Sequence, residues 1–333
     1  MDRIREISIE KYIHSTEALR DGSDASKEYL NSFLSCLTST GFVFLTGHSV
    51  SSSEVRSIMQ HGAAFFAQPE EQKLLWLNKD RAKRGYSPYE SDNFACLIGE
   101  KKPNDLVEKL RFGPEIDGSD SYYTKKEARA HFMANSWVEP CNDFRASVLS
   151  YYAKMEQLTL RLLEITAMAL CLPVEYFTSA MTRHTSILTL NHYPHLQSSE
   201  QLRIAQHTDI SLLTIIAQSS AEGGLQIHSN GEWIDVPFVP NALVVNVGDC
   251  LAHWTCNVLK STLHRVVAPR NTCENNARLS IAYFAAPEFD APLTPTSRLL
   301  TSEEEGEAHD EVLTYTKWRK KRIKEAMNHL TKI

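Results

Sequence analysis

The sequence predicts a mainly β protein, a sandwich or barrel of short strands flanked by helices and braced by one long α-helix. Three observations carry this. From Ile187 onward, short β-branched runs follow one another between Gly, Asn, Asp or Pro residues: Ile187–Tyr193, Leu212–Ala217, Gly224–Ile227, Trp233–Val236, Ala242–Val247, Ser261–Ala268 and Arg278–Ala285. Ahead of them, Asp143–Cys171 carries an apolar stripe at helical spacing (Val148, Tyr152, Met155, Leu158, Leu162, Ile165, Ala169) and stops before Pro173. Such a helix is roughly 43 Å long and can brace one face of a barrel. Finally, 333 residues with 42% hydrophobic content can bury a large core. With two Greek keys, strands of this kind make a jelly roll, which encloses a pocket between its sheets.

The remaining elements follow in order. Ile7–Ile9 reads as an entry strand. Asp24–Thr40 reads as a helix with Tyr29, Leu30, Phe33, Leu34 and Leu37 on one face, capped by Ser23 or Asp24 and ended by Gly41. Phe42–Leu45 is then a strand, and Ser53–Ala67 a second helix whose Phe65 and Phe66 pack into the core. From Lys79 to Phe94 the chain turns polar and rich in turn residues, including Arg81, Lys83, Arg84 and Tyr86, and reads by composition as a solvated loop. Pro103–Gly113 holds a strand and turn, in which Arg111 either meets an acidic substrate or pairs with a surface carboxylate. After Pro295 comes an acidic stretch, Glu303–Glu305, and then Lys317–Lys332, an amphipathic helix expected to dock on the body with its charged face in water.

Composition excludes several functions. The net charge of −6 and pI near 6.1 favour neither nucleic acid nor an anionic membrane as partner. The seven cysteines form no CxxC pair, as expected of reduced thiols in a cytoplasmic protein. The N-terminal Met1-Asp-Arg-Ile-Arg-Glu lacks a signal-peptide core, and no window approaches the ~20 apolar residues of a membrane span. A monomer acting on a small molecule is expected.

The chemistry concentrates between residues 204 and 284. His207 and Asp209 are two apart, so an extended backbone turns both to one face. A third ligand is offered by His264, 55 positions after Asp209 in another β-branched run. Two imidazoles and a carboxylate form the facial triad of non-haem Fe(II) oxygenases, which leaves room for O2 and a co-substrate. Arg278 and Ser280 again share a face, and a guanidinium beside a hydroxyl makes a carboxylate clamp. A turn over residues 269–276 separates that clamp from His264.

His207-Thr208-Asp209, His264-Arg265-Val266 and Arg278-Leu279-Ser280 together resemble the 2-oxoglutarate- and Fe(II)-dependent dioxygenases of the isopenicillin N synthase-like superfamily. Asn191-His192-Tyr193-Pro194 resembles that family's Asn-x-Tyr-Pro segment. Gly223–Ile227, Trp233–Val236 and Val245–Asp249 resemble its barrel strands, and Gly41–His48 an N-terminal Gly-Phe-Phe…Asn-His-Gly run. The likeness covers about residues 5 to 290. One departure is Thr255-Cys256-Asn257-Val258, where the family usually places Asn-Gly.

The resemblance implies a double-stranded β-helix core at 181–295, preceded by a mixed α/β region at 1–180 and followed by a helical tail at 296–333, all one compact unit. It further implies Fe(II) on His207, Asp209 and His264, with 2-oxoglutarate and O2 as co-substrates. Arg278 and Ser280 would hold the far carboxylate of 2-oxoglutarate, and Tyr193 and Asn191 would face the oxoacid. Alternation along the last strand places Phe284 on the clamp's side and Tyr283 on the other. The resemblance also implies that the stretch from Lys79 to Phe94 borders the substrate entrance; Arg84, Tyr86, Arg111 and Phe284 are candidates for substrate contact, and the two arginines hint at an anionic substrate. Rival readings are an oxidase or cyclase that does without 2-oxoglutarate, with Arg278 and Ser280 binding the substrate's own carboxylate, and a non-catalytic jelly-roll binding protein. His253 and His192 are expected to be packing residues rather than ligands.

Overall fold

The computed structural model describes residues 3–77, 84–196, 202–219, 223–268, 276–295, 299 and 313–330. In chain order the elements are β1 (Arg5–Ser8), α1 (Asp24–Ser39), β2 (Phe42–Thr46), α2 (Ser52–Phe66), α3 (Glu70–Leu74), β3 (Gly85–Ser87), β4 (Glu108–Phe112), α4 (Ser121–Thr124), α5 (Asn142–Ala169) and β5 (Ile187–Tyr193). They continue with β6 (Leu202–His207), β7 (Leu213–Gln218), β8 (Leu225–Ser229), β9 (Glu232–Asp235), β10 (Leu243–Val247), α6 (Asp249–Trp254), β11 (His264–Val267), β12 (Arg278–Ala285) and α7 (Tyr315–Leu330).

Two sheets face each other. The larger has eight strands in the order β1-β2-β10-β7-β12-β5-β4-β3, and the smaller has four in the order β6-β11-β8-β9. Only β1 and β2 pair in parallel; the other described pairs are antiparallel. This is the jelly-roll architecture expected from the strand pattern. Alternation along each strand of the large sheet separates two cores. Leu188, Leu190, Ile281 and Tyr283 join the side chains of α1, α2 and α5 in one apolar cluster. Residues of opposite parity, among them Phe42, Phe44, Tyr193 and Val244, meet Ile204, Ile227 and Val266 of the small sheet.

Local chemistry explains where helices stop and start. Ser23 caps α1 by accepting from the Ser26 amide, and Ser51 with Glu54 forms a capping box on α2. At Gly41, which ends α1, φ is +68°, and a Cβ would lie 2.0 Å from the Lys260 carbonyl oxygen. Glycine is therefore required there on both conformational and steric grounds.

Three expectations are corrected. The stretch 84–94 is only in part a solvated loop: Arg84, Gly85 and Tyr86 are buried and Gly85–Ser87 pairs with β4 as the edge strand of the large sheet, whereas Tyr89, Glu90 and Ser91 are exposed. Nothing in its polar composition signals that pairing, which comes from tertiary contact. Residues 79–83 lie outside the described residues, as do 269–275 of the turn and the acidic stretch 303–305. The strand expected at 261–268 is shorter, His264–Val267, because α6 and the irregular segment after it occupy the preceding residues. In that segment Cys256 and Asn257 both adopt positive φ (48° and 58°), making without glycine the left-handed turn that Asn-Gly would favour. Finally, the charged face of α7 is not wholly in water. Arg322 reaches inward to Asp249 (3.0 Å), the Leu97 carbonyl (2.6 Å) and the Thr208 hydroxyl (3.3 Å).

Candidate metal centre and flanking pockets

β6 and β11 are antiparallel neighbours, and their register sets His207 directly opposite His264. The two imidazole centroids are 4.3 Å apart, braced by Phe94 against His207 and by the edge of Phe42 against His264. Two residues beyond His207, Asp209 turns its Oδ1 to the same point, 3.8 Å from His207 Nε2 and 3.7 Å from His264 Nε2. Two donors each about 2.1 Å from one ion can be at most roughly 4.2 Å apart, so both separations suit a shared metal.

Hydrogen bonding prepares each donor. His207 Nδ1 donates to the Ala205 carbonyl (2.8 Å) and His264 Nδ1 to the Thr262 carbonyl (2.9 Å). A carbonyl can only accept, so both rings carry their proton on Nδ1 and present a bare Nε2 lone pair to the centre. Asp209 Oδ2 accepts from the Thr214 hydroxyl (2.6 Å) and from Asn246 Nδ2 (2.9 Å), which leaves Oδ1 directed at the histidines. Burial pushes His207 down to about 3, reinforced by the adjacent His264, so the ring is neutral and able to ligate. Burial opposes the charge on Asp209, but His264, His207 and the bonds from Asn246 and Thr214 outweigh it and hold the carboxyl below its ordinary value. Two imidazoles and an ionised carboxylate, all buried and turned to one point, are a donor set suited to ferrous iron.

The loop that carries Thr208 and Asp209 is fastened from outside. The Asp249 amide donates to the Asp209 carbonyl (2.6 Å), and the Asp249 carboxylate accepts from Thr208 (3.0 Å), Ser261 (2.6 Å) and Arg322.

Behind the trio lies a narrow inner cavity. Arg278, Ser280, Ala282 and Phe284 project into it from β12, and Asn191 and Tyr193 from β5. Their convergence follows from pairing: Tyr193 sits opposite Arg278 and Asn191 opposite Ser280, and Asn191 Nδ2 donates to Ser280 Oγ at 3.4 Å. The Arg278 guanidinium lies 5.3 Å from the centre of the Tyr193 ring. Burial raises the Tyr193 pKa, against the pull of Arg278, and keeps its phenol a donor. Lys109, which the sequence reading does not single out, also enters this cavity. It is 3.0 Å from Asp92 and 3.8 Å above the Phe94 ring.

In front of the trio opens an outer pocket of about 330 Å³, which shares Asp209, Phe94 and Phe284 with the inner cavity. Of the four residues expected to contact substrate, Arg84, Arg111 and Phe284 line it. Tyr86 does not. It turns to the opposite face of β3, where its hydroxyl donates to Glu108 Oε2 (2.5 Å) and its ring packs on Phe65. His192 packs on Phe66 and bonds Glu108, and His253 stacks on Trp318, so neither joins the metal centre. Sequence reading misses Thr214, Asn246, Lys109 and Arg319. Thr214 and Asn246 do leave a signal: Asn246 is the lone polar residue of β10, and Thr214 interrupts the apolar run Leu212–Ala217. A larger hollow of about 640 Å³ opens between α2 and the helix-facing side of the large sheet, away from all three candidate ligands.

Comparison with known proteins agrees with this geometry. Residues 184–287 match the family model of the 2OG-Fe(II) oxygenase superfamily, and residues 13–140 match that of the N-terminal region of non-haem dioxygenases in morphine synthesis. The chain is 29% identical to the proline hydroxylase buaE of Petromyces alliaceus, over 90% of this chain and 94% of the relative. It is 32% identical to a 2-oxoglutarate-dependent dioxygenase of Didymella fabae, over 81% and 83% respectively. Its fold superposes on a Neurospora crassa protein solved in complex with alpha-KG and thymine, with a TM-score of 0.78 and 25% identity, covering 97% of this chain and 96% of that one. With a jelly roll and a buried His-Asp-His centre in place, the chain belongs to the 2OG-Fe(II) oxygenase superfamily: it is a 2-oxoglutarate-dependent dioxygenase whose cofactors are Fe(II) and 2-oxoglutarate.

Proposed function

We propose that the chain oxidises an unactivated C–H bond of a small-molecule metabolite while 2-oxoglutarate is converted to succinate and CO2, the outcome being hydroxylation, desaturation or ring closure. One observation carries the reading: His207, Asp209 and His264 line an inner cavity that also holds Arg278 and Ser280, and Asp209 borders an outer pocket with room for a second molecule. The relatives support a small-molecule substrate, since one is named a proline hydroxylase and another was solved with thymine.

In this reading His207, Asp209 and His264 hold the iron. Ferrous iron with 2-oxoglutarate and O2 supplies the oxidising power. Arg278 offers its guanidinium fork, and Ser280 its hydroxyl, to the far carboxylate of 2-oxoglutarate. Tyr193, protonated and beside the clamp, donates its phenol to an oxygen of the oxoacid, and Asn191 orients Ser280. Phe94 and Phe284 wall both compartments with apolar surface and keep water from the reacting carbon.

The test is succinate release by the iron-loaded full chain with candidate metabolites, with and without added 2-oxoglutarate. Substrate-stimulated succinate that disappears in His207→Ala is the expected result. Substrate turnover without 2-oxoglutarate would replace this reading with that of an oxidase, and no turnover in the unaltered chain with a biological activity that survives His207→Ala would replace it with a non-catalytic one.

A further inference from the structure

Among the described residues, the lining of the outer pocket carries more positive charge than its acidic groups balance. β4 sends Lys109 into the inner cavity and Arg111 into the outer pocket, and both lean on the single carboxylate of Asp92. Arg84 has no such partner. It is 3% exposed, its Nη2 donates to the His131 carbonyl (2.9 Å), and its Nε meets no acceptor. Among the described residues no carboxylate pairs with it. Arg319, from α7, lines the same pocket and likewise has no ion pair among the described residues. Between them the pKa of His131 is held down at about 4, by burial first and then by Arg319, Arg84 and Lys320, so the ring is neutral and offers the arginines no counter-charge.

Burying a guanidinium without a counter-charge is unfavourable, and an anionic ligand seated on it would offset that cost. Arg84 is also held in place. A Cβ on Gly113 would lie 2.1 Å from both Cζ and Nη2 of Arg84, so the guanidinium rests against the bare backbone of that glycine. The rest of the wall is apolar, with Phe94, Leu97, Ile187, Ile210 and Phe284.

We propose that the outer pocket takes its substrate as an organic acid, with the carboxylate seated on Arg84 and Arg319 and the carbon skeleton running along Ile187 and Phe284 toward Asp209. The pairing of strands sets the scale. Ala282 of β12 pairs with Thr189 of β5, Thr189 with Arg111 of β4, and Arg111 with Gly85 of β3. At about 4.8 Å per strand, the Arg84 end of the pocket stands roughly 14 Å across the sheet from the wall of the inner cavity. The carbon presented for oxidation is therefore remote from the carboxylate. This inference rests on the dioxygenase reading only for which end of the substrate reacts; the acid seat is a property of the pocket itself.

The test uses the full chain loaded with Mn(II) in place of iron and saturated with 2-oxoglutarate, so that the inner clamp is filled. Thermal shift and calorimetry are run with a panel of size-matched alkyl, cycloalkyl and aryl carboxylic acids, each beside its own primary amide. Expected is a set of acids that bind about 10- to 100-fold tighter than their amides, the range of a charge-assisted pair. That preference falls in Arg84→Gln and, separately, in Arg319→Gln, whose side chain is only half-buried on α7 and whose loss leaves the barrel core untouched. Metal-dependent 2-oxoglutarate binding in the same variants verifies that they are folded. Acids that bind no better than amides, an absence of any acid that stabilises the protein, or an acid preference unchanged in both variants would overturn the proposal. Failure of the unaltered chain to bind 2-oxoglutarate would instead strike the dioxygenase reading.

Discussion

Thr214→Val tests whether the metal centre is tuned by the residues behind it. The Thr214 hydroxyl gives Asp209 Oδ2 a 2.6 Å hydrogen bond at a site where both residues are almost wholly buried. Valine keeps the shape and removes the donor, leaving Asn246 as the remaining side-chain partner of that oxygen. A hydrogen bond to a charged group contributes about 1.5–3 kcal/mol. If that energy serves to orient and ionise Asp209 for the metal, its loss weakens metal binding about 10- to 100-fold, the range seen when partners behind a metal ligand are removed. The assay is anaerobic titration of Fe(II) against a chelating dye, with Thr214→Ser as the control that restores the donor. Wild-type affinity in Thr214→Val, or an equal loss in the serine variant, would refute the reasoning, because then the hydroxyl would serve packing alone.

Other outcomes follow from the same geometry. Arg278→Leu removes the clamp's charge and should raise the KM for 2-oxoglutarate by about 10- to 100-fold with a smaller change in metal affinity, and Ser280→Ala should raise it less; steady-state kinetics read both. Arg322→Gln should speed hydrogen exchange in α7 and in the 208–209 loop together, since one guanidinium bonds Asp249, Leu97 and Thr208. In Gly85→Ala a Cβ would meet the Trp76 carbonyl oxygen at 2.0 Å at a φ of +71°, so β3 should detach at a cost of about 1–3 kcal/mol in urea unfolding. His131 takes up its proton only near pH 4 when folded but near 6.5 when unfolded, so stability should rise between pH 4 and 6.5; His131→Asn should flatten that rise in thermal melts.

What can be read from the sequence is whatever depends on strand alternation. Arg278, Ser280 and Phe284 share a face because they are an even number of residues apart, and β12 keeps that parity from end to end. The same rule brings Asn191 and Tyr193 to the cavity and sends Tyr283 to the helical side. His207 and Asp209 need only a locally extended backbone. Charged side chains whose burial depends on distant partners are not legible. Lys109 and Arg111 alternate in a polar-looking run, and only Asp92, from a separate loop, makes their burial tolerable. Tyr86 escapes the reading because the edge strand that orients it leaves no apolar period. The inward face of α7 is hidden for a similar reason, since Arg319 and Arg322 belong to a helix whose other basic residues, such as Lys317 and Lys320, are exposed.

The bond from Arg322 across to Thr208 links the far end of the chain to the segment between two candidate iron ligands. A polypeptide cut ahead of Tyr315 would still contain every donor atom, yet it would lack the Arg319 wall and the peg that steadies Thr208. During synthesis, then, the barrel can be complete while the reaction chamber is still open on one side. The helix α7 thus serves the reaction chamber as a wall and a fastening without giving the metal a single ligand.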